Sequence, residues 1–313
     1  MNWVKRSRTS WHALALSLVT GAASLGCSGY ASGADTAQQF LPADPAWACL
    51  NQPPGSLPVL SPVPKYIVYA VPIFDYANPP TPVAELKIAA CQVSDTICPV
   101  ANEVGQVQLP VAYPTTIGGV PVTVPLYQIV MPYGVNAYLR LSAPGYVTGE
   151  YLFGGPLVSL DGKTTPLPDG SMAAVLSGLP ITPLAEADAN SFANSIGVTR
   201  DPQAAIIAMR TVDCNGELAA GCSLSLSPSD SPSILPFATD GSRPLSTNPP
   251  KPTDATGYAG FANIPLKPGL KNFNVTVQGK NSVGTVFSVA TLEIRPGFLT
   301  AGQIRPSLGL YGR

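Results

Sequence analysis

Cysteine is the residue type with the most chemistry to offer in this sequence. Its copies are Cys27, Cys49, Cys91, Cys98, Cys214 and Cys222. None of them forms a C-x-x-C pair, so disulfide bonding is a better interpretation than metal ligation. Cys91 and Cys98 flank the short segment QVSDTI, whose Ser94 and Asp95 favour a turn, and we expect a local disulfide there.

The pairing of the other cysteines has two alternatives. Cys214 could bond to Cys222 across the segment NGELAAG, or to Cys49, which would tie the N-terminal arm to the C-terminal part of the chain. If Cys27 has another role, an odd number of cysteines remains, and one thiol is then expected to be unpaired.

The scarcity of histidine excludes several kinds of catalysis. The sequence contains one histidine, His12, in an N-terminal segment that we expect to be removed on export. Catalysis by Ser-His-Asp or Cys-His groups and zinc bound by histidine therefore have no residues to use. We predict no catalytic residues, no metal, no cofactor and no enzyme. A hydrolase using two carboxylates is the alternative, although Glu85, Glu103 and Glu150 are widely separated in the sequence.

The segment DCNGE offers a second kind of site. Asp213, Asn215 and Glu217 place oxygen atoms at alternate positions, as a calcium loop does, but a calcium ion takes about six to eight ligands. The same segment is typical of a hairpin turn with Asn-Gly at its tip and an Asp side chain that accepts backbone N–H groups. We adopt the turn interpretation.

Aromatic residues are concentrated in the segments YIVYAVPIFDY and GYVTGEYLFGG. Their tyrosines are Tyr66, Tyr69, Tyr76, Tyr146 and Tyr151. Exposed together on one face, these rings would stack on sugars or peptides, whereas buried rings would belong to the core and edge of a sandwich. The sequence leaves both interpretations open.

The N-terminal segment is typical of a signal peptide. Lys5, Arg6 and Arg8 form its positive start, and residues 13–19 are apolar over a length too short to span a membrane. It ends in SLGC, a lipobox-like sequence that predicts a lipid on Cys27. The alternative is cleavage after SGA, which would leave Asp35 at the new N-terminus. The expected location is the outer membrane or cell surface, with the periplasm or the medium as the alternative.

The composition favours strands joined by turns. Charged residues make up 11% of the chain and the net charge is −1, whereas there are 35 prolines and 29 glycines. Few Lys, Glu and Arg are available for helix surfaces, and no surplus of positive charge exists to bind nucleic acid. Residues 104–139 carry no charge, yet Pro114, Pro121 and Pro125 predict a proline-bearing hairpin there rather than a membrane helix.

Two short segments repeat one pattern. GQVQLP at 105–110 and GFANIP at 260–265 both read Gly, three residues, an aliphatic residue and Pro. Each follows an alternating strand that ends near a cysteine and precedes a turn and a long alternating strand. This order predicts one supersecondary unit used twice.

The second copy of this pattern resembles a known family. GYAGFANIPLKPGLKNFNVTV resembles the signature of carboxypeptidase regulatory-like domains, and VDCNGELAAGCSLSL resembles their opening hairpin. The chain from PAWACL to RPGFLTAGQIRP is similar to bacterial secreted lipoproteins with two such domains, closely over 200–310 and more loosely over 65–160. The resemblance implies a transthyretin-like β-sandwich with a non-catalytic role as a spacer, stabiliser or adhesive domain.

The expected fold is all-β, with two transthyretin-like or Ig-like antiparallel sandwiches joined by a short helical linker. Thr182 is expected to cap the linker helix and Gly197 to end it. The expected segments are a signal peptide at 1–27, a Pro-rich arm at 28–62, a first sandwich with a hairpin insertion at 63–168, the helical linker at 169–199, and a second sandwich with a Ser/Pro-rich loop at 200–313.

The expected function is that of a non-catalytic structural or binding module on the cell surface, held to the membrane by a lipid. Its partner would be a polysaccharide, peptidoglycan or another envelope protein. The alternatives are an adhesin that binds carbohydrates or peptides through exposed aromatics, an accessory domain of a larger surface assembly, and a carboxylate-dependent hydrolase.

Overall fold

The residues that the structure describes are mostly in β-strands. This computed structural model describes residues 44–51, 63–75, 81–93, 98, 103–117, 120–158, 163–178, 180–195, 198–229, 231–240, 243–245, 250–266 and 273–306. A 3-10 helix spans Pro45–Asn51 and the α-helix α1 spans Glu186–Ser195. The strands of the first half are β1 (Tyr66–Pro72), β2 (Lys87–Gln92), β3 (Gln106–Val107), β4 (Val111–Ile117), β5 (Val120–Pro132), β6 (Asn136–Ser142), β7 (Gly149–Pro156), β8 (Thr164–Pro166) and β9 (Met172–Ser177). Those of the second half are β10 (Ala205–Thr211), β11 (Ser223–Ser227), β12 (Leu235–Asp240), β13 (Arg243–Leu245), β14 (Tyr258–Ile264), β15 (Phe273–Lys280), β16 (Val286–Ile294) and β17 (Leu299–Ile304).

Within the described ranges these strands form three sheets. The outer sheet has the order β3-β5-β1-β9-β8, with β4 also paired to β5. The central sheet runs β13-β12-β14-β10-β17-β7-β6-β2, and the small sheet runs β11-β15-β16. The predicted all-β sandwich class is confirmed. Strands from both halves of the sequence share the central sheet, where β7 pairs with β17 in parallel.

The first core lies between the outer sheet and the β2–β6 end of the central sheet. Alternate residues of β1 face it, and Ile67 and Tyr69 lie opposite Met131 and Ile129 of β5. Leu139 of β6 closes the core from the central sheet. Each fully buried aliphatic side chain of this kind contributes about 1.5–3 kcal/mol to the free energy of unfolding.

The second core lies between the small sheet and the strands β10 and β14. Ile207 of β10 and Val277 of β15 are fully buried there, and Trp47 of the N-terminal 3-10 helix joins them. The ring of Trp47 lies 4.8 Å from that of Phe287. Strand β10 is buried on both faces, because its neighbouring residue Ile206 packs with Ala189 of α1 on the opposite side.

The opening glycines of the two repeated segments are both required by close packing. A Cβ on Gly260 would lie 1.9 Å from the carbonyl oxygen of Ile207, and a Cβ on Gly105 would lie 2.7 Å from the Cβ of Ala90. The two blocks nevertheless differ in topology. The long strand β6 pairs with β2 in the central sheet, whereas its counterpart β15 pairs with β11 and β16. The similar local patterns therefore do not give one unit used twice, because the β4–β5 hairpin provides the first block with a sheet of its own.

The hairpin predicted in the charge-free segment is confirmed as β4 and β5. Thr116 lies opposite Pro121, and the ladder continues to Val111 opposite Leu126. The Ser/Pro-rich loop of the second half contains more structure than predicted. Its residues 235–240 form β12, because Ala238 is buried in the second core and the strand pairs with β14.

The predicted linker holds both a strand and a helix. Residues 172–177 form β9, which pairs with β1, so the helical part is shorter than 169–199. The helix begins at Glu186 rather than after Thr182, because the Leu184 carbonyl accepts the Val147 N–H and the Glu186 N–H is donated to the Gly145 carbonyl. Ala189 and Ala193 form its buried face. Gly197 lies outside the described residues. No helix in the described part is long and apolar enough to cross a membrane.

Two disulfides fix the chain at widely different sequence separations. Cys91 bonds to Cys98, which is the local pairing predicted from the turn residues. Cys49 bonds to Cys214 across 165 residues, and the Cys214 N–H donates to the Ala46 carbonyl at 2.9 Å. Of the two alternatives for Cys214, the structure therefore has the one that ties the N-terminal arm to the second core.

Removal of the long-range disulfide should cost more stability than removal of the local one. A disulfide that closes a long loop restricts the unfolded chain more strongly, by about 4–5 kcal/mol at this separation against about 2–3 kcal/mol for the short loop. We expect the C49S/C214S protein to lose more free energy of unfolding in urea than the C91S/C98S protein. Equal losses, or the reverse order, would contradict this assignment of their roles.

Candidate functional site

The charged residues of the central sheet meet at the junction of the two halves. Glu150 of β7 lies opposite Arg140 of β6 and Thr300 of β17. One Glu150 oxygen, Oε1, accepts hydrogen bonds from Arg140 at 3.2 Å from Nε and 2.9 Å from Nη2. The same oxygen lies 3.0 Å from Nη1 of Arg295, which follows β16. We call Arg140, Glu150, Glu293 and Arg295 the junction cluster.

The junction cluster pairs two arginines with two glutamates around a buried centre. Glu150 is 4% exposed and Arg295 is 9% exposed. Burial raises the pKa of the Glu150 carboxyl, and the nearby charges of Arg295 and Arg140 offset only part of that rise. Glu293 lies 3.6 Å from Arg295 at the partly exposed side, and the Arg140 and Arg295 guanidinium groups both lie 5.9 Å from the centre of the Phe298 ring. A carboxylate held by guanidinium groups from two separate segments helps to fix the positions of the strands that carry them.

Sequence reasoning missed the junction cluster, although a signal was present. Charged residues are scarce in this chain. Arg140 and Glu150 are each the one charged residue of a strand that otherwise has apolar residues at alternate positions. A charged residue inside such a strand has to be paired if it is buried. The sequence does not show which partner it takes, because the pairs Arg140–Glu150 and Arg295–Glu150 depend on strand register.

Two of the five candidate tyrosines belong to the first core. Tyr69 is 8% exposed, and its ring packs edge-on against Phe153 at 4.7 Å. Tyr151 packs against the same core over Gly149, whose added Cβ would lie 2.6 Å from its ring. Burial raises the pKa of both phenols. The Tyr151 hydroxyl is buried and has no hydrogen-bond partner among the described residues.

The other candidate tyrosines do not form an exposed face either. Tyr66 is half-buried, with the amino group of Lys65 5.1 Å from its ring centre. Tyr146 is also half-buried, and its hydroxyl donates to Asp75 at 3.1 Å, which together with burial raises its pKa. Tyr76 lies outside the described residues. The four candidate tyrosines of the described part therefore lack the single exposed face on which the carbohydrate- or peptide-binding hypothesis depends.

The DCNGE segment is a hairpin turn stabilised by its first residue. The Asp213 carboxylate accepts the backbone N–H of Asn215 at 2.8 Å and that of Glu217 at 3.0 Å, and Gly216 adopts a positive φ of 82°. The turn interpretation is confirmed. The connection from β15 to β16 uses the same arrangement, with Asn281 accepting the N–H groups of Val283 and Thr285.

The acids considered for catalysis lie in different environments. Glu85 and Glu103 are exposed, whereas Glu150 is buried in the junction cluster. The structure does not bring these three into one cleft. The unpaired thiol in the described residues is Cys222, which is fully buried in the second core, and burial raises its pKa. Cys27 lies outside the described residues.

Comparisons with known proteins give limited information. No protein-family model and no curated protein matches the sequence. Among solved structures, the chain is similar to the Bacillus anthracis TIE protein, with 10% identity and a TM-score of 0.20, over 77% of this chain and 34% of that chain. It is also similar to a streptococcal ancillary pilin, with 9% identity and a TM-score of 0.20, over 77% of this chain and 68% of that chain. The chain thus spans about a third of the TIE protein. At this TM-score neither likeness bears on function.

Two substitutions of Glu150 should differ sharply in their effect. Glu150→Leu removes the carboxylate shared by Arg140 and the buried Arg295, which keep the Tyr138 hydroxyl and Glu293 respectively, and we expect it to lower the free energy of unfolding by about 3 kcal/mol. Glu150→Gln keeps an oxygen acceptor and removes a carboxylate whose burial is unfavourable, so its loss should be much smaller. Urea unfolding of both variants measures the difference. Equal losses of free energy of unfolding in the two variants would show that the arginines do not require an oxygen acceptor at position 150.

The titration of Glu150 should contribute to the slope of the free energy of unfolding against pH. Because its folded-state pKa is raised, the folded protein binds more protons than the unfolded chain at pH values just above the ordinary glutamate pKa. The contribution of Glu150 to the free energy of unfolding therefore falls as the pH rises through that interval. We expect Glu150→Gln to remove this part of the slope, and identical slopes in both proteins would refute it.

Two Tyr→Phe changes should shift stability in opposite directions. Tyr151→Phe removes a buried hydroxyl that has no partner, so we expect a gain of about 1 kcal/mol in the free energy of unfolding. Tyr146→Phe removes the hydrogen bond to Asp75, and a loss of up to about 1 kcal/mol is expected. Thermal or urea unfolding measures both. A loss in Tyr151→Phe would mean that this hydroxyl has a partner after all.

Proposed function

We propose that this chain is an exported, lipid-anchored cell-envelope protein that acts as a non-catalytic structural or binding module on the cell surface. In this proposal Cys27 carries the lipid, and the β-sandwich from the 3-10 helix to β17 is the displayed part. Its partner is a polysaccharide, peptidoglycan or another envelope protein.

The disulfides are the observation that carries the proposal. Cys49–Cys214 and Cys91–Cys98 both close on sandwich strands or turns, and bonds of this kind form and persist in oxidising compartments outside the cytosol. The start of the sequence, which is typical of a signal peptide, also supports export, and the SLGC segment supports lipidation of Cys27.

The non-catalytic part of the proposal has independent support. The sequence has no histidine after His12. The most buried acid of the described residues, Glu150, is held by two arginines between strands. The buried tyrosines pack in the core. These features favour a module whose role is to hold a shape.

The attachment of a lipid at Cys27 can be tested by mass spectrometry. The protein is purified from the membrane fraction, and the mass of its N-terminal peptide is measured with and without thiol alkylation. A diacylglyceryl group on Cys27 supports the proposal, and Cys27→Ser should move the protein out of the membrane fraction. A chain that begins at Asp35 without lipid would overturn the anchor and indicate a periplasmic or secreted protein.

A further inference from the structure

The sheet edges of the described residues differ in how well they are protected against pairing with another strand. An open edge presents unpaired backbone N–H and C=O groups, and proline, charge, short length or a covering segment blocks it. Strand β4 carries Pro114, β8 ends with Pro166, and β13 is three residues long with Pro244 in its centre. Each of these edges is therefore a poor template for a second strand.

Two further edges are shielded by neighbouring segments. Strand β2 begins with Lys87, and its end is covered because Cys91 forms a bridge with Glu103 and the Val104 N–H donates to the Ala90 carbonyl. Strand β11 is five residues long and is followed by Pro228. Just before β11, the Thr253 N–H donates to the Cys222 carbonyl, so a further segment lies alongside that end.

Strand β16 has one of these protective features, the charge of Glu293 near its C-terminal end, and lacks the others. It is nine residues long, contains no proline, lysine or arginine, and pairs with β15 on one side. Among the described residues, no strand pairs with its other side. Two of its valines are solvent-exposed, Val286 at 42% and Val289 at 57%. A long edge whose first seven residues are uncharged favours the addition of a strand.

We propose that β16 pairs with β16 of a second copy of this chain, antiparallel across a two-fold axis, so that two small sheets become one continuous sheet. A partner strand must itself offer an unprotected edge, and in the described part of the chain β16 is the longest edge strand without proline, lysine or arginine. The pairing is isologous, as in most symmetric dimers, and it does not depend on the lipid at Cys27.

The charge on β16 selects the antiparallel arrangement. Its one charged residue is Glu293, near the C-terminal end of the strand. In an antiparallel pair centred near Ala290, the two Glu293 residues lie at opposite ends, about 20 Å apart at about 3.4 Å per residue. A parallel pair would place the two carboxylates side by side, which is unfavourable. Near the axis, Val289 of one copy then lies across from Thr291 of the other.

A lysine at the centre of the edge provides the first test. In the full-length, detergent-solubilised protein, sedimentation should show a dimer, and Val289→Lys should weaken dimerisation by about tenfold or more because two ammonium groups are brought together. Val63→Lys is the matched control, because Val63 is 63% exposed and lies before β1. A monomeric wild-type protein, or a dimer that is unchanged in Val289→Lys, would overturn the proposal.

Cysteine trapping provides a second test that does not require a change in affinity. In an equimolar mixture of the V289C and T291C proteins under mild oxidant, we expect a disulfide-linked dimer on a non-reducing gel, because residues 289 and 291 lie opposite each other across the axis, whereas V63C should stay monomeric. The native thiol of Cys222 does not interfere, because it is fully buried. Thermal unfolding confirms that each variant is folded. If V289C cross-linked to a different protein in the membrane fraction and no dimer formed, the partner of β16 would be that protein and the proposal would be refuted.

Discussion

The parallel pairing of β7 with β17 is the constraint on which the rest of the structure depends. These strands are far apart in sequence, yet they join the halves of the chain in one central sheet. Glu150 lies at this junction and binds an arginine from each half, Arg140 and Arg295. A buried carboxylate with two partners is unfavourable to desolvate and more unfavourable to leave unpaired, so it penalises any other register of the two strands.

The junction also determines how the two cores relate to the chain. The central sheet contributes Leu139 to the first core and Ile207 to the second, and α1 packs beside β10. The Cys49–Cys214 bond adds a covalent link from the N-terminal 3-10 helix to the second core. The shared sheet and the long-range disulfide therefore both restrict how the two halves of the chain can move relative to each other.

The polar chemistry of the chain is used mainly to build turns and junctions. Asp213 and Asn281 each satisfy backbone N–H groups at a turn, and Glu150 pairs with Arg140 and Arg295. Tyr69 and Tyr151 fill the first core instead of forming a surface. These polar groups therefore fix turns and strand positions, and the aromatic rings fill the core.

The sequence by itself determined the local and compositional features of this protein. Period-two alternation predicted strands and the all-β class, the prolines predicted the β4–β5 hairpin, and the DCNGE segment predicted its turn, because each depends on neighbouring residues. Tertiary structure alone decided which strands pair. The alternation of apolar and polar residues along a strand is the same whichever strand lies beside it. It therefore could not reveal the pairing of β7 with β17. The bond of Cys214 to Cys49 and the start of α1 at Glu186 depend in the same way on residues distant in the sequence. For the same reason the repeated Gly-x-x-x-aliphatic-Pro pattern marks two close-packed glycines but does not determine the topology of either block. The long-range hydrogen bonds of each block determine that topology.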